Sequence, residues 1–265
     1  VSEAREAREA RDELDAAVFS TDLPTRERKE PPLGIGGSAI AYLAVAFGHR
    51  APEEAPRWIR EKARPMPRHG GLPRGLAQLL GLAAQDRGAT LDTGTRREPE
   101  LLAAWIERLE RGEWTCELER EIDPSTIQWA GALPWEWVEH ADPKSPLVVH
   151  PDGWAHTWRR KLVTFDTKVA RYGFAKPAWW NGATETPWYY GTQLDAYAAV
   201  MRSERHLLVV GCGWNRDADD SREDGPILAL PHESTAEGVE MARAIARKGW
   251  DLIQPWISRA HVARG

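Results

Sequence analysis

His150-Pro151-Asp152-Gly153 and the run Leu162-Val163-Thr164-Phe165-Asp166-Thr167-Lys168, whose Asp lies fourteen residues beyond the first, decide how this chain is read. Leu162 to Phe165 is rich in β-branched and aromatic side chains, which predicts a strand. Residues two apart on a strand share a face, so Asp166 and Lys168 project together. If the Pro-Asp-Gly segment belongs to a neighbouring antiparallel strand, Asp152 comes within reach of Asp166. Two carboxylates can hold a hard divalent cation such as Mg²⁺. A Lys beside it can orient or deprotonate an attacking water, or steady charge developing on a phosphoryl group. The same residues also fit a plain hairpin with a Pro-Asp-Gly turn and a solvated charge pair.

Between the two motifs lies Trp158-Arg159-Arg160-Lys161. Its three cations either sit close to a bound phosphodiester or decorate an exposed hairpin tip. Downstream, a helix is predicted over residues 187 to 202, with Tyr190, Gln193, Leu194 and Tyr197 on one face. Upstream, Gly34-Ile35-Gly36-Gly37-Ser38 reads as a Gly-rich turn into a helix from Ala39 to Phe47. Ser38 is its expected N-cap, and free backbone N–H groups there can hold a phosphate. The same glycines match a loose dinucleotide-binding pattern, but Arg28-Lys29-Glu30-Pro31-Pro32 is no strand, and that reading is rejected.

Further helices are expected over 53 to 64, 74 to 87, 98 to 111, and from Thr235 to Arg247 and on towards Ile253. Short strands are expected at Trp114 to Leu118, Ile127 to Ala130, Leu147 to His150, His206 to Val210, and Ile227 to Leu230. Residues 2 to 17 are charged, with i,i+4 ion pairs and almost no apolar face, and read as a solvated helical arm. The expected division is an arm and connector over 1–30 and one domain over 31–265. Trp179 and Trp180 either wedge between bases or anchor a loop.

The 265 residues carry a formal net charge of −5 and 42% hydrophobic content, which suits a globular domain and argues against a passive, basic nucleic-acid binder. An acidic total leaves room for a local basic patch that meets phosphates. No apolar run is long enough for a membrane helix, and the charged N-terminus does not read as a secretory signal. Two cysteines, far apart, form no disulfide or zinc framework, and a reducing cytosol is the expected setting. Of the 14 Trp, most are expected to fill the core.

In this order the motifs resemble those of the PD-(D/E)XK nucleases. Within that superfamily the chain is most similar to the YqaJ-like phage recombinase exonucleases, the group containing lambda exonuclease. The likeness rests on Gly34 to Ser38, on His150-Pro151-Asp152-Gly153, on Asp166-Thr167-Lys168 and on Tyr190 to Tyr197, and it spans roughly residues 30 to 253.

The resemblance implies an α/β restriction-endonuclease-like core, a mixed central sheet flanked by helices. It implies a Mg²⁺-dependent DNA exonuclease, with Mn²⁺ as a substitute. Asp152 and Asp166 would bind the metal, Lys168 would activate the water, and Gln193 would support it. Ser38 with Arg26 or Arg28 would hold a DNA phosphate, and Arg159 and Arg160 are further candidates from their position. The family also carries a Glu, four residues after a Gly, on the helix expected here over 74 to 87; Gln85 is the best match there, and it brings no charge. The implied substrate is double-stranded DNA digested from 5′ ends in phage recombination, inside the host cytoplasm. A single-strand annealing protein and a ring-shaped homo-oligomer are the implied partners. Alternatives are a structure- or site-specific endonuclease on the same core, and a DNA-end-binding protein whose catalytic site has decayed.

Overall fold

A computed structural model describes residues 34–83, 89–129, 140–170, 185–212 and 225–262. The N-terminal arm, Arg26, Arg28, Gln85, Trp179 and Trp180 lie outside these ranges. In chain order the strands are β1 (Ile35–Gly36), β2 (Pro65–Met66), β3 (Leu72–Pro73), β4 (Gln128–Trp129), β5 (His140–Ala141), β6 (Leu147–Val149), β7 (Gly153–His156), β8 (Leu162–Ala170), β9 (Arg205–Cys212) and β10 (Ile227–Glu233). The helices are α1 (Ile40–Ala46), α2 (Arg57–Ala63), α3 (Arg74–Leu79), α4 (Ala89–Glu110), α5 (Glu117–Glu121), α6 (Trp188–Met201) and α7 (Ala236–Val262).

The main sheet runs β10-β9-β8-β7-β4. β8 pairs parallel with β9 and antiparallel with β7, so the sheet is mixed, as expected. A small sheet β1-β6-β5 and the pair β2-β3 complete the strands. The nine-residue β8 is central, and alternation along it sorts the core. Val163 and Phe165 face α4, where they pack with Leu102, Trp105, Leu207 and Val209. Thr164, Asp166 and Lys168 take the opposite face, towards α6. A second cluster, around α1, α6 and α7, includes Ile40, Leu43, Leu194, Tyr197 and Ile245. Helices therefore cover both faces of the sheet.

Two local expectations fail for physical reasons. Residues 114 to 118 do not form a strand, because Cys116 N-caps α5 and Glu119 completes a capping box. The buried Glu119 carboxylate accepts from the Cys116 N–H and from Trp105 Nε1, at 3.1 and 2.7 Å, and it also binds Arg108. The β-favouring run Trp-Thr-Cys is overridden by that cap. Nor does α4 begin at Glu98. It starts at Ala89 and runs through Pro99, whereas a Pro is most often met in a helix's first turn.

Gly153 is required by packing. A Cβ there would lie 2.2 Å from Phe165 Cζ and 2.5 Å from the Gln128 carbonyl oxygen. Its φ is not positive, so Pro151-Asp152-Gly153 is the entry to a strand and not a tight turn. Gly153→Ala is expected to cost about 2–3 kcal/mol through overpacking, read as a fall in the denaturant midpoint at unchanged m-value.

Candidate active site

β7 and β8 form an antiparallel hairpin with Gly153 opposite Phe165. That register sets Asp152, just ahead of β7, beside Thr167. The Asp152 Oδ2 accepts from the Thr167 N–H at 2.6 Å and from Thr167 Oγ1 at 2.7 Å. Asp166 and Lys168 project together, as their spacing predicts: Lys168 Nζ lies 2.5 Å from Asp166 Oδ2. Asp166 is 2% exposed. Its Oδ1 accepts from Gln193 Nε2 and from the Tyr197 hydroxyl, each at 2.9 Å. Its Oδ2 is buried and has no partner of hydrogen-bond geometry, although the Lys168 ammonium is near enough to pair with it by charge.

The electrostatics show groups pressed together. Burial, and then the charge of Asp166, push the Asp152 carboxyl up to about 6. Lys168 sits half-buried, donates to the Thr167 carbonyl at 2.8 Å and lies 5.8 Å from the Tyr190 ring centroid. Burial alone would lower its pKa, but Asp166 and then Asp152 outweigh that and raise it. Lys168 is thus a fixed ammonium in this structure. As an ammonium it can hold a water and stabilise negative charge.

A carboxylate missed in the sequence joins the group. Glu98 of α4 is raised to about 7, by burial first, then by Asp152, with Asp166 adding and Lys168 opposing. It approaches from the α4 side, while Asp166 and Lys168 come from the α6 side. Gln85, the sequence candidate for the helix Glu position, lies outside the described residues, and the described helix there, α3, ends at Leu79. The spacing was present one helix later, as Gly94-Thr95-Arg96-Arg97-Glu98. Tyr197, expected on the same helix face as Gln193, shares Asp166 with it.

Other expectations move. Gln193 touches Asp166 itself and the Tyr197 hydroxyl at 2.7 Å, so it acts on the carboxylate. Ser38 is not the N-cap of α1; the cap position is Ala39, with no side-chain cap bond, and Ser38 lies in a preceding 3-10 turn. The segment still borders the site, because a Cβ on Gly37 would stand 3.5 Å from Tyr197 Cε1. Ser38 is exposed there. Arg159 and Arg160 are exposed at the far tip of the β7–β8 hairpin, with Trp158 64% exposed. At ~3.3 Å per residue, the five residues from Lys161 to Asp166 put that tip on the order of 15 Å from the acidic group. Closeness in sequence to both acidic motifs misplaced these cations, because a hairpin sends its tip and its mouth in opposite directions.

The residues fit a divalent cation. Asp152 and Asp166 offer hard oxygen donors, and the buried Asp166 Oδ2, lacking a hydrogen bond, is the atom a cation would satisfy. Glu98 stands outside a compact cage with them: among the described residues no three Asp, Glu, His or Cys side chains gather at ligand spacing. Because the Asp152 and Glu98 carboxyls are raised, the folded chain holds their protons at pH values where the unfolded chain has released them. The stability this contributes is full below about pH 4 and is lost as pH rises through 6 to 7. A cation held by Asp152 needs that carboxyl ionised, so its affinity runs the other way. The rise in Tm given by millimolar Mg²⁺ is expected to be larger at pH 8 than at pH 5; an equal rise at both would contradict the raised carboxyls.

Fold and site together define the class: a mixed sheet between helices, presenting two aspartates and a lysine at a hairpin mouth. Among solved structures, the chain is similar to the exonuclease LHK-Exo in complex with dAMP, with a TM-score of 0.52 over 88% of this chain and 94% of that one, at 13% identity. It is also similar to the alkaline exonuclease LHK-Exo from Laribacter hongkongensis (TM-score 0.48, 15% identity, 89% and 96% covered). A phage-related exonuclease from Haemophilus somnus 129PT follows at 0.44 and 12% identity, with 81% and 93% covered. The first likeness establishes a shared fold, and it agrees with the resemblance carried by the motifs. No protein-family model and no curated protein matches the chain. Among the described residues no helix is long and apolar enough to cross a membrane.

Proposed function

We propose that this chain is a metal-dependent deoxyribonuclease of the lambda-exonuclease type, hydrolysing phosphodiester bonds from the ends of double-stranded DNA. The observation that carries the reading is the buried Asp166, held by Gln193 and Tyr197 on one oxygen and facing Lys168 on the other. A structural ion pair would need neither the second aspartate nor Glu98 beside it.

Asp152 and Asp166 would hold the cation, Mg²⁺ or Mn²⁺, which supplies Lewis-acid charge at the scissile phosphate and lowers the pKa of the attacking water. Gln193 and Tyr197 fix the Asp166 carboxylate by occupying Oδ1, which leaves Oδ2 to turn towards the substrate. Thr167 does the same for Asp152, through Oδ2. The Lys168 ammonium orients the water and meets the negative charge that grows on the phosphoryl oxygens. Ser38 is the candidate contact for a terminal phosphate, with Arg28 from the segment before it. Digestion from 5′ ends, a single-strand annealing partner and a ring of subunits belong to the same reading and rest on the motif resemblance.

The test is digestion of linear duplexes labelled at either end, with and without Mg²⁺. Release of mononucleotides from the 5′ label, absent in EDTA, is the expected result. Cutting of covalently closed circles would point to an endonuclease. Binding of ends without release in Mg²⁺ or Mn²⁺ would leave only a DNA-end-binding protein.

A further inference from the structure

We infer that the exposed face of α2 is a docking surface for an unpaired polynucleotide strand leading to or from the acidic group; this rests on reading that group as a nuclease site. Between Arg57 and Arg64 the chain carries four cations, Arg57, Arg60, Lys62 and Arg64, against one acid, Glu61, in a protein of net charge −5. Arg57 and Arg60, three apart on α2, and Arg64, just past its end, line one groove of about 560 Å³. Glu61 is engaged with Arg57 at 2.7 Å. Arg60 and Arg64 have no carboxylate partner among the described residues, and both are exposed.

The neighbouring ridge of the same helix is aromatic. Trp58 is 42% exposed and has Lys62 Nζ 5.9 Å from its ring centroid. From Trp58 a series of ring contacts runs back to the acidic group. Tyr189 meets Trp58 edge-on at 6.2 Å, and Tyr189 and Tyr190 stand 4.7 Å apart. The ring of Tyr190 is the one that Lys168 approaches. Trp188, 5.8 Å from Tyr189, has the Arg50 guanidinium 5.4 Å above it.

A row of free guanidinium groups beside an exposed indole suits one partner chemistry: phosphates along a strand, and a base to stack on the indole face. Away from its ends a duplex keeps its base faces covered, so a strand that lays its phosphates along the arginines and stacks a base on Trp58 is an unpaired one. The exposed Glu53 and Glu54, on the turn just before α2, would repel a polyanion and confine it to the helix face.

The test measures binding of the full chain, in EDTA, to a labelled single-stranded 12-mer and to the blunt duplex of the same sequence, over a range of salt. Arg60→Ala/Arg64→Ala is expected to weaken single-strand binding about tenfold and to reduce the salt slope by about 1.4, at ~0.7 for each phosphate no longer neutralised. Trp58→Ala is expected to weaken single-strand binding at least about fivefold and duplex binding less than about twofold, with Trp58→Phe restoring most of the loss. Parental single-strand binding by these variants, or equal losses on single strand and duplex, would overturn the inference. A wild type that digests DNA while these variants bind like it sinks the docking surface alone. A wild type that digests nothing, with the losses still seen in the variants, sinks the nuclease reading alone.

Discussion

Asp166→Asn is expected to lower Mg²⁺-dependent nucleotide release by at least about 10³-fold while the chain stays folded. The substitution keeps the shape of the side chain. Its carbonyl oxygen can still accept from Gln193 Nε2 and from the Tyr197 hydroxyl, the two bonds that seat it. The other arm becomes an amide NH₂, which cannot bind a cation and faces the Lys168 ammonium with the wrong polarity. The loss should therefore appear in kcat, with duplex-end binding in EDTA within a few-fold of wild type. Lys168→Ala should give a comparable loss by a different route, because cation binding persists while the ammonium at the reacting phosphate is gone. Digestion by Asp166→Asn within tenfold of wild type would show that this carboxylate is a structural ion-pair partner. The secondary prediction is thermal: Mg²⁺ should raise the Tm of the wild type and leave that of Asp166→Asn almost unmoved.

The parts of this site that were legible in the sequence share one property: their geometry is set by short-range periodicity. Asp166 and Lys168 project together because a strand repeats every two residues. Gln193 and Tyr197 align because a helix brings residues four apart onto one face. The hairpin that delivers Asp152 follows from two β-favouring runs joined by a polar turn. The parts that were not legible depend on where an element starts or which way it points. Ser38 lost its capping role because a 3-10 turn precedes α1, shifting the cap to Ala39. Arg159 and Arg160 were drawn to the site by their place between the acidic motifs, but register sends them to the opposite end of the hairpin. Trp105 shows the same limit on the other face. Its burial follows from helical spacing, but its indole bond to Glu119, which turns an expected strand into α5, joins residues 14 apart.

Glu98 carries the most decisive remaining prediction, because it separates two accounts of the same missing carboxylate. With a helix expected over 98 to 111, Glu98 stands at its very start with no role, and Gln85 is left to occupy the helix position of the site. In the structure α4 begins at Ala89, so Glu98 lies well inside the helix, half-buried and repelled by Asp152. No packing requirement explains holding a third acid against two others in a place where its pKa rises to about 7. Lys168 offsets part of that repulsion, yet left metal-free the arrangement still destabilises the fold as pH rises, and a bound cation would offset the rest. Glu98→Gln is therefore expected to raise the Tm of the metal-free chain at pH 8 and to reduce digestion by about 10²–10³-fold, in line with loss of one charge-stabilising group. Gln85→Ala should stay within about twofold of wild type. The opposite signs of the two Glu98→Gln effects distinguish a functional acid from a structural one, since removing a structural carboxylate would lower the Tm. If Glu98→Gln digests DNA normally and Gln85→Ala does not, the helix contribution returns to Gln85, and the proximity of Glu98 to Asp152 is incidental.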